Sequence, residues 1–162
     1  MLRIAYVINS LEGGGAAFPV PAVARLLKAH GAVVEIFALT RRDGRAIAAM
    51  EAEGLDVHVR EGGEKDHLEA HRWLGREMRG FRPDLLWTSL TRATLLGQLV
   101  GRRLGVPVAS WQHAAFLKPA NRLLLRATQS SSCLWIADSH SVADLTAERL
   151  NVPPERLAVW PL

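Results

Sequence analysis

The chain has 162 residues, 49% apolar and 22% charged, with 13 glycines, 8 prolines and a net charge of +4. This is one domain of globular composition, too apolar for a disordered chain and large enough to bury a core without metal or disulfide. Cys133 is the single cysteine, which excludes an internal disulfide and fits a reducing compartment. No apolar run approaches the roughly 18 residues of a membrane span. The opening apolar stretch is too short for a signal peptide and no small-residue cleavage site follows it, so secretion is not expected. Of 20 basic residues only Lys28, Lys65 and Lys118 are lysines, and the arginines are spread along the chain. The charge suits an acidic partner such as phosphate or anionic lipid. With no basic block, nucleic acid is not expected.

Short β-rich runs alternate with helical stretches throughout. Residues 2–9 read as a buried strand, a continuous apolar run ending at Asn9 and Ser10. Residues 21–30 have helical spacing of Val23, Leu26 and Leu27, stopped by Gly31. Residues 32–39 form the second strand. A helix over 45–53 ends at Gly54, and 55–59 is the third strand. Asp66 is placed to cap a helix over 67–79, closed by Gly80 and Pro83. Residues 85–88 form strand four and 91–104 a helix stopped by Gly105. Strand five covers 106–111, a helix 119–129 and strand six 133–137, which puts Cys133 in the core. Ser139 or Ser141 caps a helix over 142–150, and 157–160 is a last strand.

Strict alternation with apolar strands predicts the α/β class: a Rossmann-like three-layer α/β/α sandwich on a parallel sheet of about seven strands. In the common doubly wound order strand one neighbours strand four, with five and six beyond it, and ligands bind at the strands' carboxyl ends. That edge gathers four loops, 10–18, 89–92, 112–118 and 138–141.

Gly13, Gly14 and Gly15 follow strand one and precede a helix. Glycines there let backbone N–H groups approach an anionic oxygen, with the helix terminus adding partial positive charge; a plain flexible turn is the alternative. A dinucleotide fingerprint is not expected, with Phe18 at the third glycine's place and Thr40-Arg41-Arg42 where an acidic residue would follow strand two. A Gly-Lys-Ser/Thr phosphate loop is absent. His113, just past strand five, can hydrogen-bond a hydroxyl or phosphate oxygen. His67 and His71 share a helix face but lack the glutamate of a metalloprotease motif, so a solvated face is expected. Ser139-His140 lacks a nucleophile elbow.

Further motifs carry a resemblance. Gly31-Ala32-Val33-Val34 leads into strand two and Pro83-Asp84-Leu85-Leu86 into strand four. Gly105-Val106-Pro107-Val108 precedes His113, and Ala137-Asp138-Ser139 precedes a helix followed by Val152-Pro153-Pro154-Glu155-Arg156-Leu157. Together with the glycine loop, these passages resemble the N-terminal domain of GT-B glycosyltransferases of the family 4 type, over essentially the whole chain. Two departures stand out. Ala16-Ala17-Phe18-Pro19 follows the glycines where the family often has an acidic residue. The chain ends at Trp160-Pro161-Leu162, where the family's Asn-Gly pair and C-terminal, donor-binding domain begin.

The resemblance implies transfer of a sugar from a nucleotide-sugar donor, with retention, to a glycan or lipid-linked acceptor bound by the N-terminal half. It implies no metal and no cofactor beyond the donor substrate. His113 is then the catalytic histidine, contacting donor sugar or phosphate rather than acting as a conventional base. Gly13–Gly15 would stabilise the donor diphosphate. Ser89, Thr91, Arg92 and Ser139 are acceptor-side candidates by topology. This half alone would fold but not catalyse, and the location would be a bacterial cytoplasm. Phe116-Leu117-Lys118 and the helix with Arg122, Leu123-Leu124-Leu125 and Arg126 suggest peripheral contact with the anionic inner face of the plasma membrane; a core-facing leucine stripe is the alternative. A stand-alone doubly wound module binding a phosphorylated small molecule would explain the glycine loop and basic balance equally well.

Overall fold

The computed structural model describes residues 1–113 and 116–161. Seven parallel strands form one sheet: β1 (Arg3–Ile8), β2 (Val33–Ala38), β3 (Asp56–Val59), β4 (Leu85–Ser89), β5 (Val108–Gln112), β6 (Leu134–Ala137) and β7 (Leu157–Val159). Their order is β3-β2-β1-β4-β5-β6-β7, the doubly wound arrangement the sequence predicts. Six α-helices link them: α1 (Val20–Ala29), α2 (Ile47–Ala52), α3 (His67–Phe81), α4 (Thr91–Leu104), α5 (Pro119–Thr128) and α6 (His140–Leu150).

The order explains the layers. Right-handed crossovers that step from β1 towards β3 place α1 and α2 on one face, and those stepping from β4 towards β7 place α4, α5 and α6 on the other. One core cluster accordingly joins Val20, Val23 and Met50 to Ile4, Tyr6, Ile8 and Ile36, together with Trp87 and Trp111. The opposite cluster joins Ala70, Leu74 and Met78 of α3 and Leu96 and Val100 of α4 to Ala5, Val7, Phe37 and Leu86. Leu125 of α5 and Leu150 of α6 pack with Trp135.

Some local expectations are corrected. Asp66 stands at the start of α3 but makes no capping hydrogen bond. Its carboxylate accepts instead from Arg60, Arg92 and the Gly63 N–H, since two guanidiniums outbid a helix N–H. Cys133 is exposed rather than core, because β6 begins one residue later. Its thiol donates to the Val108 carbonyl. The last helix begins at His140, capped by Ser139, whose hydroxyl accepts from the Val142 N–H at 3.3 Å. The glycine loop does not run directly into a helix: α1 starts at Val20, after further turns.

Candidate functional site

Adjacent parallel strands end side by side, so the residues just past β4, β5 and β6 are neighbours. Side chains alternate along a strand. Trp87 and Ser89, Trp111 and His113, Ile136 and Asp138 therefore share one face of the sheet, in a register that pairs Ser89 with Trp111 and Trp111 with Ile136. The three carboxyl-end residues join. Ser89 Oγ lies 2.5 Å from His113 Nε2, and Asp138 Oδ2 lies 3.0 Å from His113 Nδ1. The other oxygen of Asp138 accepts the indole N–H of Trp111. The imidazole is packed at 4.6 Å from the Trp111 ring, with its side chain only 7% exposed. Burial pushes the His113 pKa down, against the pull of Asp138, which favours the neutral ring at pH 7.

Behind this chain stands Tyr6, wholly buried. Burial raises its hydroxyl far above the ordinary phenol value; the Ser89 hydroxyl opposes that rise and the Asp138 charge adds to it. The two hydroxyls thus feel each other, yet Tyr6 makes no hydrogen bond of ordinary geometry among the described residues.

The loop between β4 and α4 is bent at Leu90, with φ 73° and ψ 157°, a region nearly reserved for glycine. Asn9, just past β1, accepts the Ala93 N–H at 2.7 Å and so ties the first loop to the start of α4. Three cavities share Leu90 and Asn121 in their walls, with volumes of about 220, 420 and 330 Å³. The first is lined by His113, Thr91, Phe116 and Lys118, the second by Thr91, Arg92, Leu95 and Leu124, and the third by Ser10, Glu12, Thr40, Arg42 and Glu64. The third is polar because Arg42 draws Glu12 and Glu64 together.

The predicted residues divide cleanly. Ser89, Thr91, Arg92 and His113 meet at this edge. Arg92 is held by Asp66 at 3.0 Å and by the Gly63 carbonyl at 3.1 Å, and it borders two of the cavities. Ser139 is spent as the α6 cap. The glycines stand apart from the cavity beside His113. Gly13 abuts Arg45 and the Gly14 N–H donates to the Glu12 carbonyl, while Gly15 faces open space. Asp138 is the residue that motif reading missed. Its signal lay in strand parity, because it stands one residue past β6 as His113 stands one past β5. Among the described residues no group of three or more His, Cys, Asp or Glu is placed to hold a metal ion.

Ser89, His113 and Asp138 have the order of a nucleophile, base and orienting acid. Ser89, however, is 0% exposed, so the group this edge can offer a ligand is the imidazole.

No curated protein matches the chain. Solved structures do. A glycosyltransferase from Rickettsia africae superposes with a TM-score of 0.81 at 15% identity, over 99% of this chain and 42% of that one. Anabaena HepE in complex with UDP-glucose gives 0.80 at 16%, over 99% and 44%. A UDP-GlcNAc 2-epimerase from Neisseria meningitidis bound to UDP-GlcNAc gives 0.70 at 15%, over 98% and 46%. The chain thus spans less than half the length of these structures, and an epimerase shares the fold with transferases, so the fold by itself does not name the reaction. The model of Glycosyltransferase Family 4 matches residues 13–162. With that match over nearly its whole length and the architecture of a GT-B N-terminal domain, the chain belongs to glycosyltransferase family 4.

Proposed function

We propose that this chain is the acceptor-binding half of a retaining hexosyltransferase, which moves a sugar from a nucleotide-sugar to a glycan or lipid-linked acceptor. The observation that carries the reading is the family match joined to a buried, neutral His113 at the carboxyl edge of the sheet. In this reading the sugar donor lies between His113 and a second domain, and His113 hydrogen-bonds the donor. Gly15, where a Cβ would meet nothing within 4 Å, is the part of the glycine loop with most room to meet the diphosphate. The acceptor occupies the cavities beside Thr91 and Arg92, and Ser139 contributes only by holding α6. Stabilising the departing diphosphate falls to protein donors, so no metal is required. The enzyme works in the cytoplasm, at the membrane face where lipid-linked acceptors are found.

Transition-state stabilisation here needs donors on both sides of a closed cleft, and one side alone leaves the ligand in water. Hydrogen bonds that compete with water contribute only about a kcal/mol each. The 162-residue chain therefore binds nucleotide-sugars at roughly millimolar affinity or weaker and does not turn them over. In the two-domain enzyme, His113→Ala lowers turnover by about ten- to thousand-fold, as for one preorganised donor or acceptor removed. Kinetics on that pair of enzymes test the reading, and near-normal turnover would return His113 to a packing role.

A further inference from the structure

His113 meets two partners of unequal chemistry. A carboxylate has no hydrogen to give, so the imidazole nitrogen facing Asp138 must carry one. That nitrogen is Nδ1, at 3.0 Å. Asp138 is itself oriented, since its second oxygen is engaged by the Trp111 indole. In a neutral ring with hydrogen on Nδ1, Nε2 is bare and accepts. It faces Ser89 Oγ at 2.5 Å, so in the free protein the Ser89 hydroxyl donates to it. Ser89 also has another direction to turn, because the enclosed Tyr6 hydroxyl, which its own hydroxyl influences, has no hydrogen bond of ordinary geometry among the described residues.

We propose that Asp138 is the positioning residue of this site: it locks His113 with its hydrogen on Nδ1, and the Ser89 hydroxyl holds Nε2 until a ligand hydroxyl takes its place. No covalent bond changes in this exchange. The Ser89 side chain turns about χ1 so that Oγ itself leaves Nε2, whose one lone pair it otherwise occupies at 2.5 Å, and the ligand O–H donates to Nε2 instead. A group that binds there must bring a hydrogen, which a sugar hydroxyl does and an ionised phosphate oxygen does not. The identity of that ligand rests on the transferase reading above; the state of the ring does not.

The test is a two-bond proton–nitrogen correlation spectrum of the imidazoles in the ¹⁵N-labelled chain at mildly alkaline pH, with His113 assigned through His113→Gln. The expected spectrum has a protonated Nδ1 and a bare Nε2. In Asp138→Asn the side-chain oxygen still accepts from Trp111, while its amide N–H donates to Nδ1. The hydrogen moves to Nε2, the direction of the Ser89 bond reverses, and the two nitrogen signals exchange places. Ser89→Ala leaves the hydrogen on Nδ1. Unchanged signals from the other histidines and from the tryptophans show that each variant is folded. A merely structural Asp138 would not move the tautomer. Hydrogen on Nε2 in the wild type, or an unaltered ring in folded Asp138→Asn, overturns the proposal and leaves the transferase reading standing. Normal turnover in His113→Ala does the reverse.

Discussion

Single residues at this edge are held by charge as much as by packing. Asp66 receives Arg60, Arg92 and the Gly63 N–H, and the Arg60 hydrogen bond is the main cause that draws its pKa from 3.8 to about 2. Arg60 has a side chain only 6% exposed, and among the described residues its other acceptors are main-chain carbonyls and Asp66 is its counter-charge. The sign follows from the lowered pKa. The folded state favours the ionised carboxyl, so the contribution is full above pH 3.8 and is lost as pH falls through about 2. Asp66→Asn should be less stable at neutral pH and should show a flatter fall in stability across that interval. Urea midpoints measured at several acidic pH values decide this, and parallel curves for the two proteins would refute it. Asp66 also shows how far the residue scale was legible. The sequence offers it as a helix cap, a local role; its real partners are 6 and 26 residues away, and only the folded chain brings them near.

Among the elements, α4 does most to place the site. It carries Thr91 and Arg92 at its first turn and crosses β4 and β5 at close range. The closeness comes from two glycines one turn apart. A methyl group at Gly101 would stand 2.5 Å from the Val108 side chain and 2.7 Å from the Val106 carbonyl, and one at Gly97 would strike Thr88. Gly101→Ala must push α4 off the sheet, and overpacking of this kind costs about 1–3 kcal/mol. A matching drop in the urea stability of the chain is expected, and an unchanged or raised midpoint would contradict it. Gly105 ends the same helix with φ 70° in open space, so Gly105→Ala meets no clash and pays only the backbone term, about 1 kcal/mol. The sequence marks both ends of α4 well. It does not distinguish Gly101, a contact glycine, from Gly105, a capping one, because the difference lies in what faces them.

For the molecule as a whole, α5 is the element whose role the sequence leaves open. In the fold only Leu125 turns inward, while Phe116, Leu123 and Leu124 are 79%, 69% and 50% exposed beside Lys118, Arg122 and Arg126. A core-facing stripe is thus realised by one leucine of three. No helix among the described residues is long and apolar enough to cross a membrane. Exposed apolar and basic side chains side by side are what contact with a membrane surface would require, where each basic residue would contribute about 1 kcal/mol near anionic lipid, roughly fivefold in partitioning. The chain should sediment with anionic vesicles and stay in the supernatant with neutral ones, and Leu123→Ser with Phe116→Ser should weaken that capture. Equal recovery in the supernatant from both vesicle types would remove the membrane reading.

The sequence by itself determined the layer architecture and the strand order, and it pointed to the carboxyl edge as the place for a ligand. Apolar strands alternating with capped helices leave one economical solution, and right-handed crossovers place the helices on both faces. It also singled out His113 as a candidate, because a polar ring directly after a buried strand stands out against its neighbours. The tertiary structure alone decided the company His113 keeps. Ser89, His113 and Asp138 lie at or just past the ends of three separate strands, 24 and 25 residues apart in turn, and no local pattern reports a contact set by register between parallel strands. The same reason separates the glycine loop from the histidine: both follow strands, but β1 and β5 flank β4 on opposite sides, and proximity in the sheet is governed by strand order rather than by motif.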